Sequence, residues 1–203
     1  MSGGVILVFT RAPVAGKAKT RLIPELGPAR AARLHAQLVH LTLGKVTEGQ
    51  SDPVQLWCSP RQDHLFFKQC RAAYGVSLHD QSGNDLGERM CNAFDQALLD
   101  YDWALMIGTD CPDLSSEDFK RARQSLDEGI DVVLGPAADG GYYLIGLQRS
   151  QPELFRNIPW GGPRVLSCTQ TRLRELGLSG AELDQRHDLD RPGDLKRFPQ
   201  LLI

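Results

Sequence analysis

Three features of the sequence predict an α/β protein, a three-layer α/β/α sandwich with a mostly parallel central sheet. Short continuous apolar runs such as VILVF and WALMI suit strands covered on both faces. Between them lie stretches with apolar residues at helical spacing, so strands and helices alternate along the chain. No repeat, low-complexity tract or Pro/Gly-rich linker divides the 203 residues, a length that suits one domain with its own core.

The elements follow in order. Residues 5–9 read as the first strand, and after a loop over 10–27 Pro28 can begin a helix carrying Ala31, Leu34, Leu38 and Leu41 on one stripe. Residues 54–58 read as a second strand, Ser59 and Pro60 as the start of a helix, and 76–78 as a short third strand. A helix then presents Leu86, Met90, Ala93, Phe94 and Ala97, and residues 103–110 form the clearest buried strand. Ser115 and Asp118 have capping-box spacing ahead of another helix, and IDVVLGP is the next strand. Beyond residue 136 the rhythm loosens into a strand at 140–147, a helical turn at 152–155 and a helix at 165–176.

The charge balance excludes some classes of partner. Lys plus Arg is 23 and Asp plus Glu is 25, a net charge of −2, which gives no electrostatic reason to expect nucleic-acid or membrane-surface binding. Residues 1–50 nevertheless hold seven basic and two acidic residues, so a basic amino end faces an acidic remainder, as suits a polyanion bridged by a cation. The cysteines at 58, 70, 91, 111 and 168 form no CxxC pair, which points to reduced thiols rather than disulfides or zinc. The start MSGGVILVFTRAP fits neither a signal peptide nor a membrane span, so a cytoplasmic location is expected.

Chemistry concentrates after the strands. RAPVAGKAKTRL places Arg11, Lys17, Lys19 and Arg21 beyond the first strand, where open α/β sheets bind ligands, and Gly16 lets a phosphate approach the backbone. It is no Walker loop. Asp110, in GTDCP after the apolar strand, is delivered to the same edge and suits Mg²⁺ or Mn²⁺. In DLDRPGDL, Asp188 and Asp190 alternate, and one can join Asp110 around the cation, while Asp194 reads as a helix cap behind Pro192. Asp139 precedes Gly140 and Gly141 in a substrate-facing turn, with Tyr142 or Tyr143 able to stack on a ring. Asp85 is placed to cap its helix near a nucleotide, Arg89 to touch an anion, and Trp160 to serve as a ring platform or a core anchor. His35 and His40 are expected on a helix surface, and His187 is the one histidine near a site. There is neither a G-x-S-x-G elbow nor a G-x-G-x-x-G after the first strand, which disfavours a serine hydrolase and a nicotinamide dehydrogenase.

The blocks FTRAPVAGKAKTRLIPELG, GNDLGERMCNAF, MIGTDCPDL, VLGPAADGGYYLIGL and DLDRPGDL, in that order through nearly the whole chain, resemble bacterial uncharacterised transferases of the nucleotide-diphospho-sugar transferase superfamily. AKTRLIPEL and DLDRPGDL resemble, more distantly, the 2-phospho-lactate guanylyltransferases. The resemblance implies a GT-A-like fold over 1–203, with 1–136 binding the nucleotide and 137–203 forming an acceptor-side extension. It implies phosphate contacts for Arg11, Lys17, Lys19 and Arg21; the residues themselves add Gly16, Asp85 and Arg89 to the expected nucleotide site. Metal ligation falls to Asp110 and Asp188, and Asp139 faces the acceptor beside the reacting groups Lys19, Arg21 and Asp110. The family has a hydroxyl residue after the tryptophan, whereas this chain has PWGGPRV. The expected activity is Mg²⁺- or Mn²⁺-dependent transfer from a nucleotide sugar to a small-molecule acceptor, in a protein compatible with a homodimer. The alternatives are nucleotidyl transfer from a nucleoside triphosphate and a non-catalytic nucleotide-binding regulator.

Overall fold

A seven-stranded sheet organises the chain, which this computed structural model describes over residues 3–48 and 52–201. Its strands are β1 (Gly4–Arg11), β2 (Val54–Ser59), β3 (Ser77–Asp80), β4 (Trp103–Ile107), β5 (Val132–Pro136), β6 (Tyr142–Leu147) and β7 (Gly180–Glu182). Their order is β3-β2-β1-β4-β6-β5-β7. The pairs β2/β3, β1/β2, β1/β4 and β5/β7 are parallel, and β6 runs antiparallel to both β4 and β5. The helices are α1 (Ile23–Leu26), α2 (Pro28–Thr47), α3 (Leu65–Tyr74), α4 (Leu86–Ala97), α5 (Ser116–Asp127), α6 (Pro152–Phe155) and α7 (Val165–Glu175).

The strands are continuously apolar because both faces are covered. Ile6, Val8, Leu56 and Ile107 pack with Val39 and Leu43 of α2, Phe67 of α3 and Ala122 of α5. Val5, Leu7, Met106 and Ile145 point the other way, against Phe94 of α4, Leu154 of α6 and Leu173 of α7. The chain is therefore the three-layer α/β/α sandwich that its pattern predicts. A third cluster positions the site: Leu189, Leu195 and Phe198 near the carboxyl end pack on Leu22 of the basic loop and on Leu34 and Leu38 of α2. This apolar weld brings residues far apart in sequence to the end of β1.

Four local differences from the sequence reading have physical causes. The strand expected through Asp110 stops at Ile107, after which Gly108 turns out of the ladder while its N–H still reaches Tyr143 O at 3.1 Å. The helix expected from Ser59 begins at Leu65, capped by the His64 ring, because Asp80 accepts the Gln62 N–H at 2.6 Å and holds the intervening residues as a loop. The loop expected over 10–27 contains a 3-10 turn (Thr20–Leu22) and α1. β7 has no apolar run to announce it, and it is a strand because β5 supplies its parallel partner.

Candidate functional site

A cavity of about 510 Å³ opens at the carboxyl ends of β1 and β4. The chain builds β1, β2 and β3 outward on one side and resumes with β4 on the other side of β1, so the loops diverge there and leave a crevice. Thr10 and Thr109 bridge the two strand ends through hydroxyls 3.2 Å apart. Behind them His35 is 4% exposed, not on the helix surface as its sequence position suggests. Its Nε2 meets Arg11 O at 2.9 Å, and burial lowers its pKa, so it is a neutral ring bracing the start of the basic loop.

The four cations of that loop divide into two pairs. The Lys19 side chain is only 3% exposed, with its ammonium 2.9 Å from Asp110 Oδ1 and 2.5 Å from Leu189 O. Arg21 pairs with Asp190 at 2.5 Å. Arg11 donates to Lys17 O, and neither Arg11 nor Lys17 forms an ion pair among the described residues. Lys19 and Arg21 therefore hold the DLD segment in place, whereas the charges of Arg11 and Lys17 are not taken up by a carboxylate among the described residues. Gly16 sits at φ +82° with open space where a Cβ would project, which leaves the loop backbone approachable.

Four carboxylates, those of Asp110, Asp139, Asp188 and Asp190, line the cavity. Confinement raises the Asp110 carboxyl, but the Lys19 ammonium, with the Arg11 guanidinium, outweighs it and holds the group below the usual range. Asp188 lies the other way: burial, followed by the charges of Asp110 and Asp139, pushes it up to about 7. Its side chain makes no ion pair or hydrogen bond among the described residues, whereas Asp190 is committed to Arg21 and Asp194 caps the backbone N–H of Arg191 at 2.8 Å. An under-compensated carboxylate beside a second one is a donor set that suits a hard divalent cation. No group of three His, Cys, Asp or Glu side chains among the described residues forms a ready-made cage. Asp110 and Asp188 could hold Mg²⁺ or Mn²⁺ with phosphate oxygens and water completing the shell.

The backbone fixes this arrangement as firmly as the side chains do. Leu189 N–H reaches Asp110 O at 2.7 Å, while Arg186 N–H reaches Pro136 O and Ala138 N–H reaches Arg186 O. The Arg186 guanidinium forks onto Asp118, whose side chain is 1% exposed, with contacts of 2.9 and 3.2 Å. On the opposite wall Asp139 accepts the Gly141 N–H at 2.8 Å, and Gly140, at φ +92°, lies so close to Pro163 that a Cβ would fall 2.1 Å from its carbonyl oxygen. This contact brings the β5–β6 turn against the segment carrying Trp160. Of the two roles open to it from the sequence, Trp160 packs as a core anchor, stacking on Phe155 and meeting Tyr142 edge-on, and it also lines the cavity. Tyr143 is instead buried, its hydroxyl donating to Asp184 O.

Several expected residues lie elsewhere. Asp85 caps α4 by accepting Glu88 N–H at 2.8 Å, Arg89 donates to Gly83 O, and neither lines the cavity. Their side chains are engaged by the turn that begins α4. His187 sits 3.9 Å from Asp113, also outside the lining. Sequence reasoning misses Gln81, which follows β3 and reaches into the cavity. The one signal for it is a lone polar residue just past a strand, at the edge where Asp110 also emerges.

This architecture is that of the nucleotide-diphospho-sugar transferase-like proteins, a mostly parallel sheet with its crevice at the β1/β4 reversal. The chain belongs to the family described as uncharacterized proteins conserved in bacteria (DUF2064), whose model matches residues 42–162. A proposed nucleotide-diphospho-sugar transferase from Desulfovibrio desulfuricans G20 is 33% identical, over 94% of this chain and 84% of that one, with a TM-score of 0.84. The 4-diphosphocytidyl-2C-methyl-D-erythritol synthase of Anaerococcus prevotii DSM 20548 shares the fold at 9% identity, covering 96% and 94%, TM-score 0.64. So does glucosyl-3-phosphoglycerate synthase of Mycobacterium tuberculosis, in complex with Mn²⁺, UDP and glucosyl-3-phosphoglycerate, at 14% identity, 97% and 75%, TM-score 0.54. No curated protein matches the sequence. No helix among the described residues is long and apolar enough to cross a membrane.

Proposed function

We propose that this protein is a divalent-cation-dependent transferase that moves a sugar from a nucleotide sugar to a small-molecule acceptor. The observation that carries the reading is the division of the basic loop: Lys19 and Arg21 are neutralised by Asp110 and Asp190, and Arg11 and Lys17 alone retain unpaired charge. Two free cations and one divalent ion supply the counter-charge that a nucleotide's phosphates need, and the choice of a nucleotide sugar over a triphosphate rests on the relatives named next. The relative from Desulfovibrio desulfuricans G20 and the Mn²⁺–UDP complex of the synthase from Mycobacterium tuberculosis support the same class.

In this reading Asp110 and Asp188 would hold Mg²⁺ or Mn²⁺, which would supply Lewis-acid stabilisation of the departing diphosphate. Arg11 and Lys17 bind the diphosphate oxygens, and the Gly16 backbone lets them approach. Lys19 fixes Asp110, and Arg21 fixes Asp190, so both act by positioning. The acceptor lies against Trp160 and Tyr142, where its hydroxyl oxygen attacks the anomeric carbon. As that bond forms, the bond from the anomeric carbon to the phosphate oxygen breaks, and the nucleoside diphosphate leaves. The Asp139 oxygen not used by Gly141 accepts the hydroxyl proton. Residues 1–136 supply the diphosphate subsite and 137–203 the acceptor wall, except that Asp188 and Asp190 cross back to the first part.

The test is incubation with nucleotide sugars and nucleoside triphosphates, each with Mg²⁺ or Mn²⁺, in the presence of pooled hydroxylated acceptors. Release of nucleoside diphosphate, lost in folded Asp110→Ala and Asp188→Ala variants, is the expected result. Pyrophosphate release from a triphosphate would replace glycosyl with nucleotidyl transfer, and tight binding with neither product would make the chain a nucleotide-binding regulator.

A further inference from the structure

A lysine outside the cavity holds the backbone on which Asp110 stands. Lys45, in the last turn of α2, does not line the cavity. Its ammonium donates to Pro112 O at 2.6 Å and to Leu114 O at 2.8 Å, carbonyls 67 and 69 residues further along the chain. Burial lowers the Lys45 pKa, and the nearby charges of Asp113 and Asp118 work against that shift.

Both carbonyls belong to one tight turn. Leu114 N–H closes on Cys111 O at 3.3 Å, Pro112 presets φ at the second position, and Cys111 Sγ donates to Asp113 Oδ1 at 3.1 Å. Pro112 and Leu114 are buried, so losing the ammonium leaves two carbonyl oxygens shielded from water and without a donor. Apolar packing of Cys111 and Leu114 seats the turn on the core, while hydrogen bonds, being directional, decide how it is rotated.

Asp110 stands between two lysines. Lys19 takes its Oδ1 at 2.9 Å, and Oδ2 has no ion pair or hydrogen bond among the described residues. The other ties on this connection act at or before Asp110: Thr109 meets the Thr10 hydroxyl, and Leu189 N–H reaches Asp110 O. Lys45 is the side-chain tie after it, ahead of α5 at Ser116. A turn released from Lys45 is free to follow the pull of Lys19, and closing both carboxylate oxygens on one ammonium takes Oδ2 away from a cation.

We propose that Lys45 is a positioning residue that keeps Asp110 Oδ2 available to the divalent cation by anchoring the turn from Cys111 to Leu114. This rests on the cation reading above.

The experiment titrates folded wild-type, Lys45→Met and Lys45→Arg proteins with Mn²⁺ alone, following the electron paramagnetic resonance of the free ion. Binding of inorganic pyrophosphate without metal is measured beside it by calorimetry, as a probe of the basic loop. Groups that orient a metal ligand are worth 10- to 100-fold in affinity, and Lys45 acts through the backbone, so Lys45→Met should lose about tenfold in Mn²⁺ affinity. Metal-free pyrophosphate binding should be unchanged, and Lys45→Arg, which keeps the charge and the donors, should stay close to wild type. Wild-type Mn²⁺ affinity in Lys45→Met, or an equal loss in Lys45→Arg, overturns the assignment. So does a parallel loss of Mn²⁺ and pyrophosphate binding, the signature of a generally loosened fold. Mn²⁺ binding that is absent from the wild type, or unchanged in folded Asp110→Ala, overturns the cation reading and this inference together. The linkage also runs in reverse, since a turn that helps a cation bind is tightened by that cation: hydrogen exchange at the Leu114 amide of the unaltered protein should slow when Mg²⁺ is added. An amide indifferent to Mg²⁺ refutes the inference even where no Lys45 variant folds.

Discussion

Asp118→Asn separates the clasp on the carboxyl-terminal segment from everything else in the molecule. Asp118 is the third residue of α5, where it closes a capping box with Ser115 and takes both arms of the Arg186 fork. Asparagine preserves one acceptor for the cap but turns an amide toward a guanidinium. Breaking a buried, hydrogen-bonded pair from one side costs about 3–5 kcal/mol. Arg186 keeps 26% of its side chain exposed and can recover some hydration, so the loss belongs at the lower end, about 3 kcal/mol. For a chain of this size that is a fall in Tm of about 6–12 °C. The pH dependence is a second signature. Burial raises the Asp118 carboxyl, but the bonds from Arg186 and Ser115 outweigh it and the folded pKa is lowered from 3.8. The stability this group contributes is therefore fully present above pH 3.8 and is lost as pH falls through the lower folded value. Urea melts of both proteins from pH 7 downward should show a gap that is constant to about pH 4 and then closes. A gap under about 1 kcal/mol at pH 7, or one unaffected by acid, would refute the clasp.

Three further outcomes are expected. Gly140→Ala combines a positive φ with a Cβ 2.1 Å from Pro163 O, and should cost about 2–3 kcal/mol by urea denaturation while weakening turnover through displacement of Asp139. Gly87→Ala improves helix propensity by about 1 kcal/mol yet drives a Cβ to 2.5 Å from Trp160 Nε1; tryptophan emission should shift, and a stability gain with an unaltered spectrum would contradict the packing. In native iodoacetamide labelling followed by mass spectrometry, half-buried Cys168 should react first, because burial covers Cys58, Cys70 and Cys111 and raises their thiol pKa values, to about 12 for Cys58 and about 11 for Cys70, while partial burial and the nearby Asp95 push half-buried Cys91 up to about 11. Early labelling of Cys111 would show that the loop after β4 opens.

The fold is legible wherever burial writes a period into the sequence. Residues 5–9 and 103–107 are apolar on both faces because helices cover both, and α2 carries its stripe at 31, 34 and 38 because it is amphipathic. Local capping is legible for the same reason: Asp85, Ser115 and Asp118 bond to atoms within a few residues. β7 and the position of His35 are not, because one depends on pairing with a distant strand and the other on what covers a helix end.

The sequence by itself determined the α/β sandwich, the basic loop after β1 and the acidic residues after β4 and near the carboxyl end of the chain. Only the tertiary structure decided which charges meet. Leu189, Leu195 and Phe198 bury themselves on Leu22 and α2, and that packing places Asp190 on Arg21 and Leu189 O on Lys19. The composition counts four cations equally, but a charge neutralised by a carboxylate from a distant segment, as Lys19 is by Asp110 and Arg21 by Asp190, is no longer free for a ligand. Coulomb interactions act through space, and the distances that select Arg11 and Lys17 exist only once the core has closed.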